Sequence, residues 1–122
     1  MIVLDASAVL AFLKTEPGHD VVEHAMNEGA VCGAANWSEV MQKTRAAGRD
    51  WKAAGELLES YDLTVEPVTR ADAEWAATCW QEHPALSLAD RLCLALAHRL
   101  GVPALTADAA WGSGEDIRQI RS

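Results

Sequence analysis

Positive charge is scarce in this chain. Ten Lys and Arg stand against eighteen Asp and Glu, a net charge of −8. Gripping nucleic acid through an overall field needs a basic excess, so that mode is excluded. Long apolar runs are also missing. The longest, Ala8–Leu13 and Leu92–Ala97, are six residues each, against roughly 20 for a membrane span. Cysteine is sparse and odd in number. Cys32, Cys79 and Cys93 share no CxxC spacing, which argues against a disulfide frame or a thiolate zinc site. They are expected as small buried hydrophobes in a reducing cytoplasm. The opening Met1-Ile2-Val3-Leu4-Asp5 lacks the basic region of a secretory signal. No repeat, low-complexity tract or linker interrupts the 122 residues, so residues 1–122 are expected to form one domain.

Two kinds of segment alternate along the chain. Ile2-Val3-Leu4 is a short buried-strand pattern ending at Asp5. Ser7 is placed to cap a helix over Ala8–Leu13, which Glu16-Pro17-Gly18 breaks. A helix over Asp20–Asn27 and a strand over Ala30–Ala34 are expected next. Asn36-Trp37-Ser38-Glu39 has the form of a capping box, opening a helix that runs to Gly48. Further helices are expected over Asp50–Tyr61, from the Thr69-Arg70-Ala71-Asp72 cap to about Glu82, and from the Ser87-Leu88-Ala89-Asp90 cap to Leu100. Gly101 and Pro103 stop the last of these. Leu63–Val68, Val102–Thr106 and a short edge segment, Asp116–Arg121, read as strands. The alternation predicts an α/β fold, with a mainly parallel sheet of about four to five strands between two helical layers.

That fold class places chemistry outside the carboxyl ends of the strands, where strand order reverses. Asp5 follows the first strand and Asp108 follows Val102–Thr106. Glu39 and Asp90 each fall early in a helix expected to start on the same side. Singly, each has an ordinary explanation. Glu39 and Asp90 fit the third position of a capping box, worth about 1 kcal/mol. Asp5 and Asp108 could be turn residues. Jointly they are harder to explain, because carboxylates about 4 Å apart repel by about 4 kcal/mol at an effective dielectric near 20. Such a group protonates or binds a cation. Oxygen donors without His or Cys favour Mg2+ or Mn2+, the ions used to activate water for phosphodiester hydrolysis.

Ile2-Val3-Leu4-Asp5-Ala6-Ser7-Ala8, Glu39, Leu88-Ala89-Asp90-Arg91-Leu92-Cys93-Leu94-Ala95-Leu96-Ala97 and Leu105-Thr106-Ala107-Asp108 occur in that order. In this the chain resembles PIN-domain ribonucleases, and among them the VapC toxins of bacterial type II toxin–antitoxin pairs. The resemblance implies a three-layer α/β/α PIN-like fold. It implies that Asp5, Glu39, Asp90 and Asp108 hold Mg2+, with the Ser7 and Thr106 hydroxyls beside it. It also implies cleavage of single-stranded or loop RNA, a homodimer, and silencing by a VapB-like antitoxin. Some relatives carry a further acid two to four residues past the fourth. Here Ala110, Trp111 and Gly112 stand there, which leaves one metal or two open.

Substrate contacts must come from few bases. Lys43, Arg45, Arg49 and Lys52 are the densest basic stretch. Lys43 lies one helical turn beyond Glu39, fitting either phosphate positioning or a plain Glu–Lys pair. Arg91, beside Asp90, is a weaker candidate. Of the five tryptophans, Trp37 is placed for base stacking and most of the others for packing. His19, His24, His83 and His98 form no ligand pair at helical spacing. A receiver domain is disfavoured: one acid follows the first strand, and no lysine occurs beyond Lys52. The remaining alternatives are a housekeeping PIN nuclease and a non-catalytic interaction module whose acids serve only as helix caps.

Overall fold

Each face of the first strand already specifies a layer. In the computed structural model, which describes residues 1–121, β1 (Ile2–Leu4) sends Leu4 into one apolar core and Val3 into another. The alternation recurs along the sheet. Ala30, Cys32 and Leu105 join Leu4, whereas Val31 and Ala104 join Val3. Strands buried on both faces need helices on both faces, and the chain supplies them in order.

The elements that follow are α1 (Ala6–Leu13), α2 (His19–Glu28), β2 (Ala30–Gly33), α3 (Ala34–Ala46), α4 (Trp51–Glu59) and β3 (Leu63–Glu66). Then come α5 (Arg70–Cys79), α6 (Leu88–Leu100), β4 (Ala104–Thr106), a 3-10 turn at Ala109–Trp111 and β5 (Ile117–Gln119). The sheet order is β3-β2-β1-β4-β5, and every pairing is parallel. Parallel crossovers are right-handed. The steps from β1 to β2 to β3 therefore lay α1–α4 on one face, and the return to β4 lays α5 and α6 on the other. The result is the three-layer α/β/α arrangement. Strand order reverses between β1 and β4, with Val3 opposite Ala104 and Leu4 opposite Leu105. Among the described residues, no helix is long and apolar enough to cross a membrane.

The expected caps at Thr69/Asp72 and Ser87/Asp90 are both complete capping boxes. Gly101 closes α6 in the left-handed conformation at φ 68°. Several boundaries differ from expectation: α4 ends at Glu59 and α5 at Cys79, short of Tyr61 and Glu82, and three other differences bear on the site or the sheet. Asp5 rather than Ser7 caps α1, accepting from the Ala8 N–H at 2.8 Å, so the helix starts two residues early and Ser7 lies in its first turn. Likewise α3 starts at Ala34 directly from Gly33, which places Asn36 and Glu39 inside the helix rather than at its cap. At β3, pairing stops at Glu66, since the following Pro67 has no N–H to donate.

Two long-range ties secure the helical layers. The Arg99 guanidinium donates to both Asp72 oxygens, Nε at 3.0 Å and Nη2 at 3.1 Å, joining the end of α6 to the start of α5. At the chain's other flank, Ile120 seats against Gly18 (φ +93°), where an added Cβ would lie 2.8 Å from its side chain. Arg121 Nε donates to the Pro17 carbonyl at 2.7 Å. The cysteines are free thiols and all buried, as their spacing implies.

Burial pushes the Asp72 carboxyl up, but the Arg99 fork and the Thr69 hydrogen bonds outweigh it and hold it below the usual carboxylate range. A depressed folded pKa means this contribution is complete above the unfolded value of about 3.9 and is lost as pH falls through the folded pKa. Arg99→Met is therefore expected to cost about 1–3 kcal/mol in urea melts at pH 7. The gap to wild type should narrow below about pH 4. A gap of constant size down to pH 2 would show that the ion pair is not its source.

Candidate metal centre

The carboxyl edge gathers its polar groups around the β1–β4 switch point. Asp5 leaves β1, while Thr106 ends β4 and Asp108 follows two residues later. Asp5 is 2 % exposed, and every oxygen it presents has a donor. Oδ1 accepts from the Ala8 N–H and Ser7 Oγ, each at 2.8 Å. Oδ2 accepts from Ser7 Oγ at 2.9 Å and Thr106 Oγ1 at 2.6 Å. Both hydroxyls are themselves pinned. Ser7 Oγ accepts from the Ala107 N–H at 2.9 Å and Thr106 Oγ1 from the Asp108 N–H at 3.0 Å. The two neighbouring strand ends are thus laced together through one carboxylate.

Glu39 comes from the second turn of α3, not from a cap. One oxygen, Oε2, lies 4.0 Å from Lys43 Nζ. The other, Oε1, is buried and has no hydrogen-bond partner. Asp90 stands in the first turn of α6, whose start lies against α3 through the Asn36–Ala89 contact. Its charge is felt by both other acids. Burial above all pushes the Asp5 carboxyl up to about 6; the Thr106, Ala8 and Ser7 hydrogen bonds pull it back, and Asp90 raises it further. Burial likewise raises the Glu39 carboxyl, with Lys43 opposing and Asp90 adding to the shift.

The four acids of the sequence reading therefore sit on one edge, but not as a closed cage. Asp90 Oδ2 accepts from the Ser87 N–H at 3.3 Å, and Asp108 Oδ1 accepts from the Ala110 N–H at 2.9 Å. Each is turned toward its own helix start. Among the described residues, no three His, Cys, Asp or Glu side chains stand close enough to clasp an ion. Like-charge repulsion accounts for the spread, and backbone N–H groups at helix starts offer each carboxylate a favourable alternative.

The bases are distributed differently from the sequence reading. Lys43 reaches the acidic edge through Glu39. Arg45 lies in the last turn of α3, about 9 Å further along the axis than Glu39 at 1.5 Å per residue. Arg49 Nη1 turns to the Leu13 carbonyl at 3.5 Å, at the far end of α1. Arg91 Nη1 donates to the Ala76 carbonyl of α5 at 2.8 Å. Arg91 is thus a structural tie and Arg49 an exposed group at the far end of α1 from the acids; adjacency to Asp90 in sequence puts Arg91 on another side of α6. Trp37 packs edge-to-face on Trp51 at 5.3 Å, and Trp75 stacks on His98 at 4.9 Å. Asn36, read from sequence as a cap, is instead a buried side chain between α3 and α6. Its position three residues before Glu39 was the available signal.

A buried acid at a switch point, laced by hydroxyls and flanked by further acids, is the ligand edge of an open α/β protein. A sequence model of the PIN domain matches residues 2–113. The chain belongs to the PIN-domain family. No curated protein matches it in sequence. Solved structures share the fold at low identity. A chain of a toxin–antitoxin complex from Klebsiella pneumoniae superposes with a TM-score of 0.83 at 15 % identity, covering 100 % of this chain and 99 % of that one. VapC20 from Mycobacterium tuberculosis, described as a sarcin–ricin loop cleaving toxin, gives 0.72 at 19 % identity over 94 % and 98 %. VapBC2 from Rickettsia felis, bound to a fragment of its promoter DNA, gives 0.76 at 10 % identity over 98 % of each chain.

Thr106→Val removes the donor to Asp5 Oδ2 and the acceptor of the Asp108 N–H in a single isosteric change. It is expected to destabilise by about 1–3 kcal/mol in urea melts, whereas a loss under 0.5 kcal/mol would mean that the lacing is slack. The thiols give a second check. Burial, reinforced by Asp5, pushes Cys32 up to about 12 and Cys93 well above its ordinary value, and burial raises Cys79 as well. At pH 8 a chromogenic disulfide is expected to label no cysteine in a fast phase and all three after denaturation.

Proposed function

We propose that this PIN domain is a ribonuclease that hydrolyses RNA phosphodiesters with Mg2+, or Mn2+ in its place, held by Asp5, Glu39, Asp90 and Asp108. We further propose that it is the cytoplasmic, homodimeric toxin of a VapBC-type pair, restrained by a VapB-like antitoxin. The observation that carries the reading is Glu39 Oε1, an acceptor buried without a donor on the edge where Asp90 already raises two other carboxyls. An all-oxygen donor set suits a hard cation. Such an ion, when bound, supplies activation of water, in-line alignment and charge relief at the leaving oxygen.

The protein's part follows from the geometry. Asp5 cannot swing, because Ser7, Thr106 and the Ala8 N–H hold it, so it is the anchor. Glu39 offers a free oxygen. Asp90 and Asp108 would complete the set if released from the Ser87 and Ala110 N–H groups, each of which water could satisfy at an exposed helix start. Lys43, four residues past Glu39 and largely exposed, is placed to meet a substrate phosphate. Attack by an external water leaves a 5′-phosphate and a 3′-hydroxyl. The Klebsiella toxin–antitoxin complex and the Rickettsia VapBC2 support a toxin with a partner chain, and the Mycobacterium neighbour, a sarcin–ricin loop cleaving toxin, supports a loop substrate.

The test is cleavage of end-labelled mixed-loop RNA with Mg2+, with Mn2+ and with EDTA. Asp5→Asn, Glu39→Gln, Asp90→Asn and Asp108→Asn are each expected to cut activity by more than about a hundredfold, beyond the range of changes outside the ligand set. Full activity in EDTA, or 2′,3′-cyclic phosphate ends, would refute the mechanism. The second reading, a non-catalytic interaction module, draws on the two caps that occupy Asp90 and Asp108. It predicts no metal response in thermal melts and no cleavage.

A further inference from the structure

We propose that Asn36 is a positioning residue of the acidic edge, setting the gap between Glu39 and Asp90 and hence the affinity for a divalent cation. The inference rests on the metal-dependent reading above. Asn36 is 1 % exposed, as deep as the aliphatic side chains of the core. Its Nδ2 donates to the Ala89 carbonyl at 3.4 Å. Among the described residues, this is the one side-chain hydrogen bond joining α3 to α6. It acts at the right place on both helices. Ala89 is the peptide neighbour of Asp90, and Asn36 lies one turn before Glu39 on the same helical face.

The amide is poorly explained by folding alone. It can donate two hydrogen bonds and accept two, yet its Oδ1 is buried with no partner. From the third position of α3 that oxygen could reach back to the helix start, as in a capping box, but it makes no such bond. Leucine has the same branched outline and would bury without a polar penalty. The end of β2 passes close beside the amide: a Cβ on Gly33 would lie 3.4 Å from Asn36 Oδ1 and from Leu96 Cδ2. Glu39 Oε1, one turn further on, is likewise buried without a donor. Two acceptors on consecutive turns of one helix thus lack a donor, and each could take one from a group that binds at this edge. Asn36 therefore ties α3 to α6 at Ala89, next to Asp90, from a position one turn before Glu39.

The experiment compares wild type, Asn36→Leu, Asn36→Ala, Asn36→Ser and Asp5→Asn by thermal melting and by the electron paramagnetic resonance signal of free Mn2+. Without metal, Asn36→Leu is expected to melt no more than a few degrees from wild type, because shape is kept and an unpaired acceptor is removed. Its Kd for Mn2+ is expected to rise about 10–100-fold, the usual consequence of losing a group that orients a ligand. Asn36→Ala, which crowds nothing, carries the same expectation if leucine does not fit. Asn36→Ser, which keeps a donor near Ala89, should recover part of the affinity lost with alanine. A residue serving only the core would shift the metal-free melt and leave the Mn2+ Kd alone, and that outcome overturns the proposal. Wild type and Asp5→Asn responding identically to Mn2+ would remove the metal reading itself. If wild type responds, Asp5→Asn does not, and both Asn36→Leu and Asn36→Ala bind as wild type, only the role of Asn36 falls.

Discussion

A carboxylate placed where two parallel strands diverge, and held there by every donor within reach, is the constraint on which this molecule turns. Asp5 ends β1, caps α1 and receives the hydroxyl at the end of β4. Those three duties fix the strand register, the direction in which α1 leaves and the spacing of the switch point. Removing the side chain would cost a cap, two hydroxyl bonds and the lacing to Ala107 and Asp108 that runs through them. Its raised pKa is the electrostatic trace of that position, since burial costs the charged form more than the donors return.

Gathering acids at such a point works against folding, and the structure handles the conflict locally. Asp5, Asp90 and Asp108 each accept a backbone N–H from the start of the helix or turn they introduce. Partial positive charge at those starts offsets part of the mutual repulsion. Glu39 has no such shelter and leans on Lys43 instead. Under the proposed metal-dependent reading, stability and cation capture would draw on the same oxygens. This is the pattern expected where local rules give way to function.

Much of this was legible from residue order. Helix stops at Gly101, capping boxes at Thr69 and Ser87, and the acids following β1 and β4 are local signals, readable within a few positions. What escaped notice depends on distance. Spacing alone makes Ser7 a cap, a local role, and only the resemblance to PIN domains set its hydroxyl beside the acids; its partners include Ala107, a hundred positions away. Asn36 and Glu39 mimicked a capping box, yet β2 runs into α3 without a loop and shifts both inward. Arg91 and Arg49 looked available to substrate because sequence adjacency says nothing about which side of a helix a long side chain follows. The Asp72–Arg99 fork spans 27 positions and left no mark in any local pattern.

An all-parallel sheet sorts its two edges by chemistry, and here the sorting has a practical side. Since β1 starts at Ile2 and points toward the acids, the amino group of the well-exposed Met1 emerges on the opposite rim. A surface tether or fluorophore attached at that terminus would leave the acidic edge unobstructed, with the length of the strands between the attachment and the carboxylates.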